Sequence, residues 1–360
     1  MLLATPAQLY NNENQAAAVA GGKPRATARA FGTVISNGNG TAAAAPTGAA
    51  DCGGGMAKQA VRPVAARPVY ASLAPQPVTP MRAMVAPIHP ADVNDVNDMQ
   101  CAVDYVDDIY HFWKQMERKY AIDSNYMSRQ TDINARMRAI LLDWLVEVHL
   151  KFKLVPQTLY LTVHLIDRFL ELKVVKRQKL QLVGVTAMLI ASKYEEIYAP
   201  EVRDFEYISD KAYPQDEIIK MEAFMLDTLQ FRISVPTSLN FLQRFLKVTN
   251  AATNVKQLSN FYCERVLQEH GMLHYSPTMV SCAALSLARR AVSKTPWNPT
   301  LAQYTGYDEA ALAPCARDML RLMDPAHSTD AKKDTLKAVH KKYSSSKFGS
   351  VAKMPFPAMF

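Results

Sequence analysis

The stretch Met137-Arg-Ala-Ile-Leu-Leu-Asp-Trp-Leu-Val-Glu-Val148 decides the fold. As a helix it is apolar around almost its whole circumference, which is typical of a helix enclosed by others. It also carries Arg138, Asp143 and Glu147, and an unpaired buried ion costs several kcal/mol. We therefore predict that Arg138 pairs with an acidic residue, and Asp167, within residues 161–170, is the best candidate. The alternative is that helical rotation places these ions at the rim of a bundle.

Outward from this stretch, apolar residues recur at spacings of three and four, with almost no strand-like alternation. The pattern predicts a first helix from residue 109 to 120, then helices at residues 137–150, 158–172, 180–194, 214–229, 237–246, 255–269, 278–293, 308–323 and 330–343. Small residues at Gly184, Ala187 and Ala191 let other helices approach closely, so we expect helix 180–194 in the middle of its bundle. We expect the last helix to turn Lys341 and Lys342 outward. The sequence predicts an all-α fold of two bundles of about five helices each.

Both ends of the chain differ from this helical part. The first hundred residues are rich in Ala, Gly and Pro and poor in aromatics. Such a segment cannot bury enough apolar surface to offset backbone ordering, which costs about 1–2 kcal/mol per residue. We therefore predict that residues 1–100 form a disordered tail, and we expect residues 346–360 to be a flexible C-terminal tail.

Composition excludes little by itself. The formal net charge of +8, from 41 basic and 33 acidic residues, is compatible with an acidic partner but does not decide function. The five cysteines are scattered without Cys-x-x-Cys spacing, which favours reduced thiols inside the cell. The first residues lack the basic and apolar regions of a signal peptide, and no run of about 20 apolar residues is present. We expect neither secretion nor a membrane span.

The sequence contains no recognisable catalytic constellation. We find no Gly-x-x-x-x-Gly-Lys loop, Gly-x-Ser-x-Gly elbow, His-Glu-x-x-His pair or Cys/His metal spacing. The eight histidines are dispersed, and a lone helical histidine is more often packed or exposed than a ligand. We therefore predict a protein that is not an enzyme and that uses no metal and no cofactor.

Several motifs resemble one family. Residues 137–148 resemble the opening of the cyclin box, and Lys179-Leu-Gln-Leu-Val-Gly184 with Ala191-Ser-Lys-Tyr-Glu-Glu-Ile197 resembles its third helix. His149-Leu-Lys-Phe152, Ala199-Pro-Glu-Val202 and Ser234-Val-Pro236 resemble the B type of mitotic cyclin more than the A type. The resemblance implies an N-terminal cyclin box with a preceding helix at residues 101–234 and a C-terminal cyclin fold at residues 235–345.

The resemblance also implies a function. Cyclins are non-catalytic subunits that bind and activate a cyclin-dependent kinase and help recruit its substrates, and the mitotic members control the G2/M transition. In the family a Lys and a Glu grip the mobile C helix of the kinase, and these match Lys193 and Glu222. The apolar contact positions around that pair match Tyr194, Phe231, Ile109 and Phe112. Without the family, Lys193 would be interpreted as a helix-end lysine that reaches solvent.

A second surface is implied by the family's shallow patch that docks Arg-x-Leu peptides of substrates or inhibitors. Its positions match Met137, Ile140, Leu141, Trp144, Leu180 and Gln181. Glu147 would pair with the arginine of the peptide. For each apolar residue alone, core packing is the simpler interpretation.

The tail resembles a regulatory region. Residues 29–37 resemble a destruction box, which the anaphase-promoting ubiquitin ligase recognises, through Arg29, Ile35 and Asn37. Gly32 stands where the pattern has Leu, and Phe31 is the nearest apolar substitute. Thr79, followed by Pro80, has the form of a proline-directed kinase site. We expect the protein in the nucleus and the cytoplasm, depending on the cell cycle.

Two alternatives remain within the fold and one outside it. An A-type cyclin would act from S phase to mitosis. A cyclin-fold transcription factor is permitted by the net charge, but the basic excess lies largely in the last helix and the tail, and no zinc ribbon precedes the domains. We therefore expect neither a nucleic acid nor a membrane as partner. A helical metabolic enzyme is weakened by the absence of a catalytic constellation.

Overall fold

The fold is built from helices throughout residues 88–323 and 336–355, which are the residues that the structure, a computed structural model, describes. Within these ranges it contains twelve α-helices: α1 Val106–Lys119, α2 Ala135–Phe152, α3 Pro156–Leu172, α4 Arg177–Glu195, α5 Val202–Ile208, α6 Gln215–Thr228, α7 Ser238–Val248, α8 Thr253–Leu267, α9 Pro277–Ser293, α10 Pro299–Thr305, α11 Glu309–Met323 and α12 Ala338–Tyr343. The prediction of an all-α fold is confirmed for these residues. No helix among them is long and apolar enough to cross a membrane.

Helices α2 to α6 form the N-terminal fold, and α4 lies at its centre, as predicted. Helix α4 contacts α2, α3, α5 and α6. Its Gly184 makes the contact with α2 possible, because a Cβ atom there would lie 2.7 Å from Leu141 Cδ1, closer than packed atoms approach. Ala187 and Ala191 are fully buried. Small residues thus let four helices surround one.

Helices α7 to α11 form the C-terminal fold around α9, which contacts α7, α8 and α11. Pro277 opens α9, where a missing backbone N–H costs nothing, and the Ser276 side chain accepts from Met279 N. The short helices α5 and α10 were not predicted. Seven residues are too few to show a helical period. Both helices are stabilised by their caps; in α10, for example, the Asn298 side chain accepts from Leu301 N.

Helix α12 joins the two folds, because it contacts both α2 and α8. The carboxylate of Asp143 on α2 accepts from the backbone N–H of Lys337 and Ala338 at 3.3 and 2.9 Å. The prediction for Lys342 was wrong: it is buried, and its Nζ lies 2.7 Å from both carboxylate oxygens of Glu264 on α8. The helical period alone could not show this, since the covering residue lies 78 positions away in the chain.

Order begins earlier than the predicted boundary at residue 100. A 3₁₀ turn at Pro90–Asp95 packs on α7. Its Asp92 is buried and lies 2.6 Å from Arg244 Nη1 and 2.7 Å from Lys247 Nζ. Burial raises the pKa of Asp92, but the hydrogen bonds and charges of Arg244 and Lys247 outweigh burial and lower it. The buried Arg244 and the partly exposed Lys247 therefore hold this segment through the carboxylate of Asp92.

The C-terminal end also differs from the flexible tail that we expected from residue 346. A 3₁₀ turn at Val351–Lys353 packs on α8, and Val351 and Ala352 are buried. Two small apolar residues in a short segment do not predict burial from the sequence; their burial follows from the packing of the turn on α8. Residues 356–360 lie outside the described residues.

Candidate functional site

Lys193 and Glu222, the two polar residues that we predicted to grip a partner, form an ion pair at the surface. Lys193 lies in the last turn of α4, and its Nζ is 2.7 and 2.9 Å from the two carboxylate oxygens of Glu222 on α6. The side chains are 50% and 15% exposed. An ammonium has three donor hydrogens, so one remains for another acceptor after both bonds to Glu222. The arrangement therefore offers a donor and carboxylate lone pairs together at one place.

Phe231 lies in the chain segment that follows α6, and Tyr194, near the end of α4, contacts the same segment. Phe231 is 69% exposed, and both Gln230 and Phe231 adopt left-handed backbone conformations, with φ of 53° and 54°. For residues with a Cβ this conformation costs about 1–2 kcal/mol each. The Tyr194 hydroxyl lies 2.5 Å from Ser234 Oγ. A strained turn that leaves a phenylalanine in water indicates a contact surface rather than a core.

Helix α1 carries the two other predicted contact residues and is fixed from behind by the C-terminal fold. On its inner face, Tyr110 OH donates to Asn240 O at 3.3 Å, and the Glu117 carboxylate accepts from Thr278 N and Oγ1 at 3.0 and 2.8 Å. Burial raises the pKa of Glu117 more than these bonds lower it. On the outer face Phe112 is exposed, and Ile109 is half-buried. The inner contacts thus hold α1 with these apolar side chains facing outward.

Sequence reasoning missed two exposed apolar residues, Ile197 and Tyr198, which follow directly after α4. The signal that could have found them is Pro200: the residue before a proline disfavours the helical conformation, so a helix that ends before Ala199 leaves Ile197 and Tyr198 near or beyond its end. At the end of α4, burial and then the charge of Glu196 raise the pKa of Glu195 to about 7.

The predicted docking patch is only partly at the surface. Leu141 and Leu180 are fully buried, so assigning them as surface contacts was wrong: Leu141 packs on Gly184 in the centre of the N-terminal fold. Met137 and Gln181 are buried as well. Ile140 and Trp144 are half-buried, and Glu147 is exposed. The reason is that both sides of α2 are covered, which a nearly all-apolar helix does not reveal in advance.

Arg138 and Asp167 form the ion pair that we predicted, and both side chains are 1% exposed. The Nε and Nη2 groups of Arg138 donate to the two carboxylate oxygens of Asp167, each at 2.6 Å. Tyr126 OH donates to the same carboxylate at 2.8 Å, and Arg138 Nη1 donates to Leu267 O of the C-terminal fold at 3.1 Å. A bidentate pair with further partners satisfies both buried ions. The rim alternative does not describe these residues.

The described residues show little of the chemistry of a catalytic centre. No group of three His, Cys, Asp or Glu residues within 88–323 and 336–355 is placed to hold a metal ion. Burial raises the pKa of the Cys315 thiol to about 12, which removes the thiolate that nucleophilic chemistry needs. Burial, then the charge of Lys342, lowers the pKa of His149 to about 3, so this histidine stays neutral. Arg29, Phe31, Ile35, Asn37 and Thr79 lie outside the described residues.

Comparison with known proteins agrees with this architecture. Residues 108–234 match the family described as Cyclin, N-terminal domain, and residues 236–357 match Cyclin, C-terminal domain. A relative from Arabidopsis thaliana, Cyclin-B2-2, is 44% identical over 267 residues, which are 74% of this chain and 61% of the relative. G2/mitotic-specific cyclin-B from Spisula solidissima is 41% identical over 313 residues, which are 82% of this chain and 71% of that relative.

Among solved structures, a viral cyclin from herpesvirus saimiri has the same fold. Its TM-score is 0.54 at 19% sequence identity, and the match covers 59% of this chain and 95% of the viral chain. The present chain spans about three fifths of the length of the plant relatives that it matches.

Proposed function

Because the chain belongs to the cyclin family and to its B-type mitotic members, we propose that it binds and activates a cyclin-dependent kinase at the G2/M transition and in mitosis. The proposal is carried by the Lys193–Glu222 pair at the surface, together with the strained, exposed Phe231. The pair offers a donor and acceptors to the backbone of a helix end or loop, and the phenylalanine offers an apolar contact.

The mechanism is a population shift in the kinase. A protein kinase is active only when its strand lysine pairs with the glutamate of its C helix and its activation loop is ordered. A rigid surface that binds only this arrangement stabilises it. Moving an equilibrium from 1:99 to 99:1 takes about 5.5 kcal/mol of differential affinity. The cyclin chain itself supplies no catalytic group in this mechanism.

Reconstitution with a purified, inactive kinase subunit and a histone substrate tests the proposal. We expect phosphorylation only when both proteins are present. Lys193→Ala and Glu222→Ala should each weaken binding by about 2–5 kcal/mol, as truncation of a hydrogen-bonded interface charge commonly does. Lys256→Ala, at an exposed position on α8, is the matched control. Absence of stimulation by every cell-cycle kinase of the same organism would refute the proposal.

A charge-swapped variant, Lys193→Glu with Glu222→Lys, separates two roles of the pair. It retains an intramolecular ion pair but reverses the groups that face a partner. If the pair only holds α4 to α6, the swap should restore kinase binding. We expect it to fail, because the partner's backbone groups meet the wrong charge.

We further propose that Ile140, Trp144 and Glu147 dock Arg-x-Leu peptides of substrates or inhibitors. The support is the exposed carboxylate of Glu147, one turn from Trp144 and two turns from Ile140, whose apolar side chains are half-buried. Glu147→Ala should weaken a labelled Arg-x-Leu peptide and leave kinase binding unchanged. Equal losses of the two affinities would contradict a separate docking surface.

For the tail we propose degradation through the anaphase-promoting ubiquitin ligase. The support is the spacing of Arg29, Ile35 and Asn37 with Phe31 beside Gly32. Arg29→Ala with Asn37→Ala should keep the protein stable through anaphase, and Gly32→Leu should speed its turnover.

We also propose phosphorylation at Thr79 and a location in nucleus and cytoplasm that changes with the cell cycle. Imaging of a tagged chain, with and without Thr79→Ala, tests both.

A further inference from the structure

An open groove lies between the beginnings of α4 and α6. It is lined by Lys179 and Leu182 of α4 and by Glu217, Lys220, Met221 and Phe224 of α6. The four α6 residues are spaced three and four apart and so share one face of the helix, beside the face on which Ile218 and Met225 are fully buried. The groove has a volume of about 270 Å³. This is below the usual range of small-molecule pockets, roughly 300–1,000 Å³, and suits the side chain of a peptide.

The floor of the groove is apolar. Leu182 is buried, and Met221 packs against the core. Phe224 is 45% exposed, and its ring packs edge-to-face on Phe169 with centroids 5.7 Å apart. The Phe224 side chain is therefore held in place from behind while one part faces solvent. An ordered, half-exposed aromatic ring at the end of a groove is a ready anchor for a partner's side chain.

The rim of the groove is basic. Lys173 Nζ lies 5.2 Å from the centre of the Phe224 ring, and Lys179 and Lys220 line the groove itself. Glu217 is the one carboxylate among the lining residues, and it forms an ion pair with Lys179. Three lysines against one glutamate leave a positive potential over an apolar floor. Such a surface attracts an acidic partner.

The chain's own N-terminal region does not have the charge to occupy the groove. Residues 1–87 contain seven basic and two acidic residues, so this region would be repelled by the lysines. A flat lipid surface also fits poorly, because it cannot insert a side chain into a groove between two helices. The charge and the shape together favour a peptide segment of another protein.

We propose that this groove docks an acidic peptide segment of a partner protein, with one apolar side chain inserted between Leu182, Met221 and Phe224. Carboxylates of the peptide pair with Lys173 and Lys220, and one replaces Glu217 beside Lys179. The proposal does not depend on kinase activation. The groove also differs from the surface proposed for Arg-x-Leu peptides, because Ile140, Trp144 and Glu147 lie on α2, whereas the residues that line the groove lie on α4 and α6.

Fluorescence anisotropy with the full chain tests the proposal. The probe is a fluorescein-labelled peptide, Asp-Glu-Asp-Leu-Asp-Glu, and the comparison peptides carry Ser for Leu or Lys for every acid. We expect binding of the first peptide that weakens with salt, at least tenfold weaker binding of the Ser peptide, and none of the Lys peptide. Absence of binding of the first peptide in the millimolar range overturns the proposal, and so does equal binding of the Ser peptide.

Variants locate the bound peptide. Lys220→Glu and Phe224→Ser should each weaken the acidic peptide about tenfold, whereas Lys256→Glu on α8 should leave it unchanged. The methyl signal of Met221 in a ¹³C-methionine-labelled chain should shift on titration, which reports the groove even if a variant does not fold. An unshifted Met221 signal, or loss of binding in Ile140→Asp but not in Lys220→Glu, overturns the site. Binding of phosphatidylserine vesicles without binding of the peptide would assign the surface to lipid and reject the proposal.

Discussion

Two ion pairs of the N-terminal fold contain the same kinds of groups but differ in their surroundings. The buried pair, Arg138–Asp167, has side chains 1% exposed and further partners in Tyr126 and Leu267. The exposed pair, Lys193–Glu222, faces solvent and has a donor hydrogen to spare. Breaking a buried pair leaves an uncompensated ion, while a surface pair contributes little to stability. The difference teaches that burial, rather than charge, separates a residue that holds the fold from one that can bind a partner.

The buried pair should show the largest effect on stability. Asp167→Ala should lower the free energy of unfolding by about 3–5 kcal/mol, because Arg138 would remain charged and buried without its carboxylate. Urea denaturation followed by circular dichroism measures this. The double variant Arg138→Met with Asp167→Leu should recover most of the loss, since no ion is then left unpaired. A loss below about 1 kcal/mol in Asp167→Ala would contradict a structural role for the pair.

The pair between α12 and α8 extends the comparison to the contact between the folds. Lys342→Ala should lower the free energy of unfolding by about 3 kcal/mol, because Glu264 becomes an unpaired buried carboxylate. The neighbouring Lys341 is exposed, so Lys341→Ala is a matched control and should change stability by less than about 0.5 kcal/mol. Equal melting temperatures of the two variants would show that Lys342 faces solvent.

Glu195 is half-buried, between the buried Arg138–Asp167 pair and the surface Lys193–Glu222 pair, and it should make stability depend on pH. Its pKa is about 7 in the fold against 4.5 for the ordinary side chain. Between these values the folded state keeps the proton and the unfolded state does not, so stability falls as pH rises through this window. Glu195→Gln should lack this fall and be more stable than wild type by about 3 kcal/mol at pH 8, with no difference at pH 4.

Burial and the charge of Glu196 both raise the pKa of Glu195, and a variant can separate these two causes. If the Glu196 charge contributes to the raised pKa of Glu195, Glu196→Gln should lower that pKa. The pH range over which stability falls should then be narrower than in the wild type. A difference between wild type and Glu195→Gln that is the same at pH 4 and pH 8 would contradict the raised pKa. Thermal melts across the pH range provide both measurements.

The exposed pair should have the smallest effect on stability. Lys193→Ala should change the free energy of unfolding by less than about 1 kcal/mol, because solvent screens the pair and the freed Glu222 is rehydrated. The same variant is expected to bind a kinase much more weakly. The measurement therefore compares the loss of unfolding free energy with the loss of kinase-binding free energy. A stability loss as large as that of Asp167→Ala would remove the distinction between the two pairs.

Much of the fold could be predicted because it depends on local spacing. Apolar residues at three and four positions identified the long helices, and the small residues of α4 placed it at the centre of its bundle. Arg138 was assigned a partner because a buried ion needs one. The short helices α5 and α10 were missed because a single turn or two carries no period, and their stability comes from caps and packing.

The candidate site could be predicted in part. Lys193 and Glu222 were identified by resemblance, and the structure brings them into contact. Leu141 and Leu180 were assigned to a surface, although they are buried. The apolar patterns of α2 and α4 could not show that Leu141 and Leu180 are buried, since a helix that is apolar on nearly all sides has no marked face.

The sequence by itself determined which long segments are helical, that they form two folds, and that an arginine inside an apolar helix requires an acid. Only the tertiary structure decided which charges are buried. Asp92 meets Arg244 across 152 positions of the chain, and Lys342 meets Glu264 across 78. The physical reason is that helical periodicity depends on neighbours three and four residues away, whereas burial depends on which distant element covers a face.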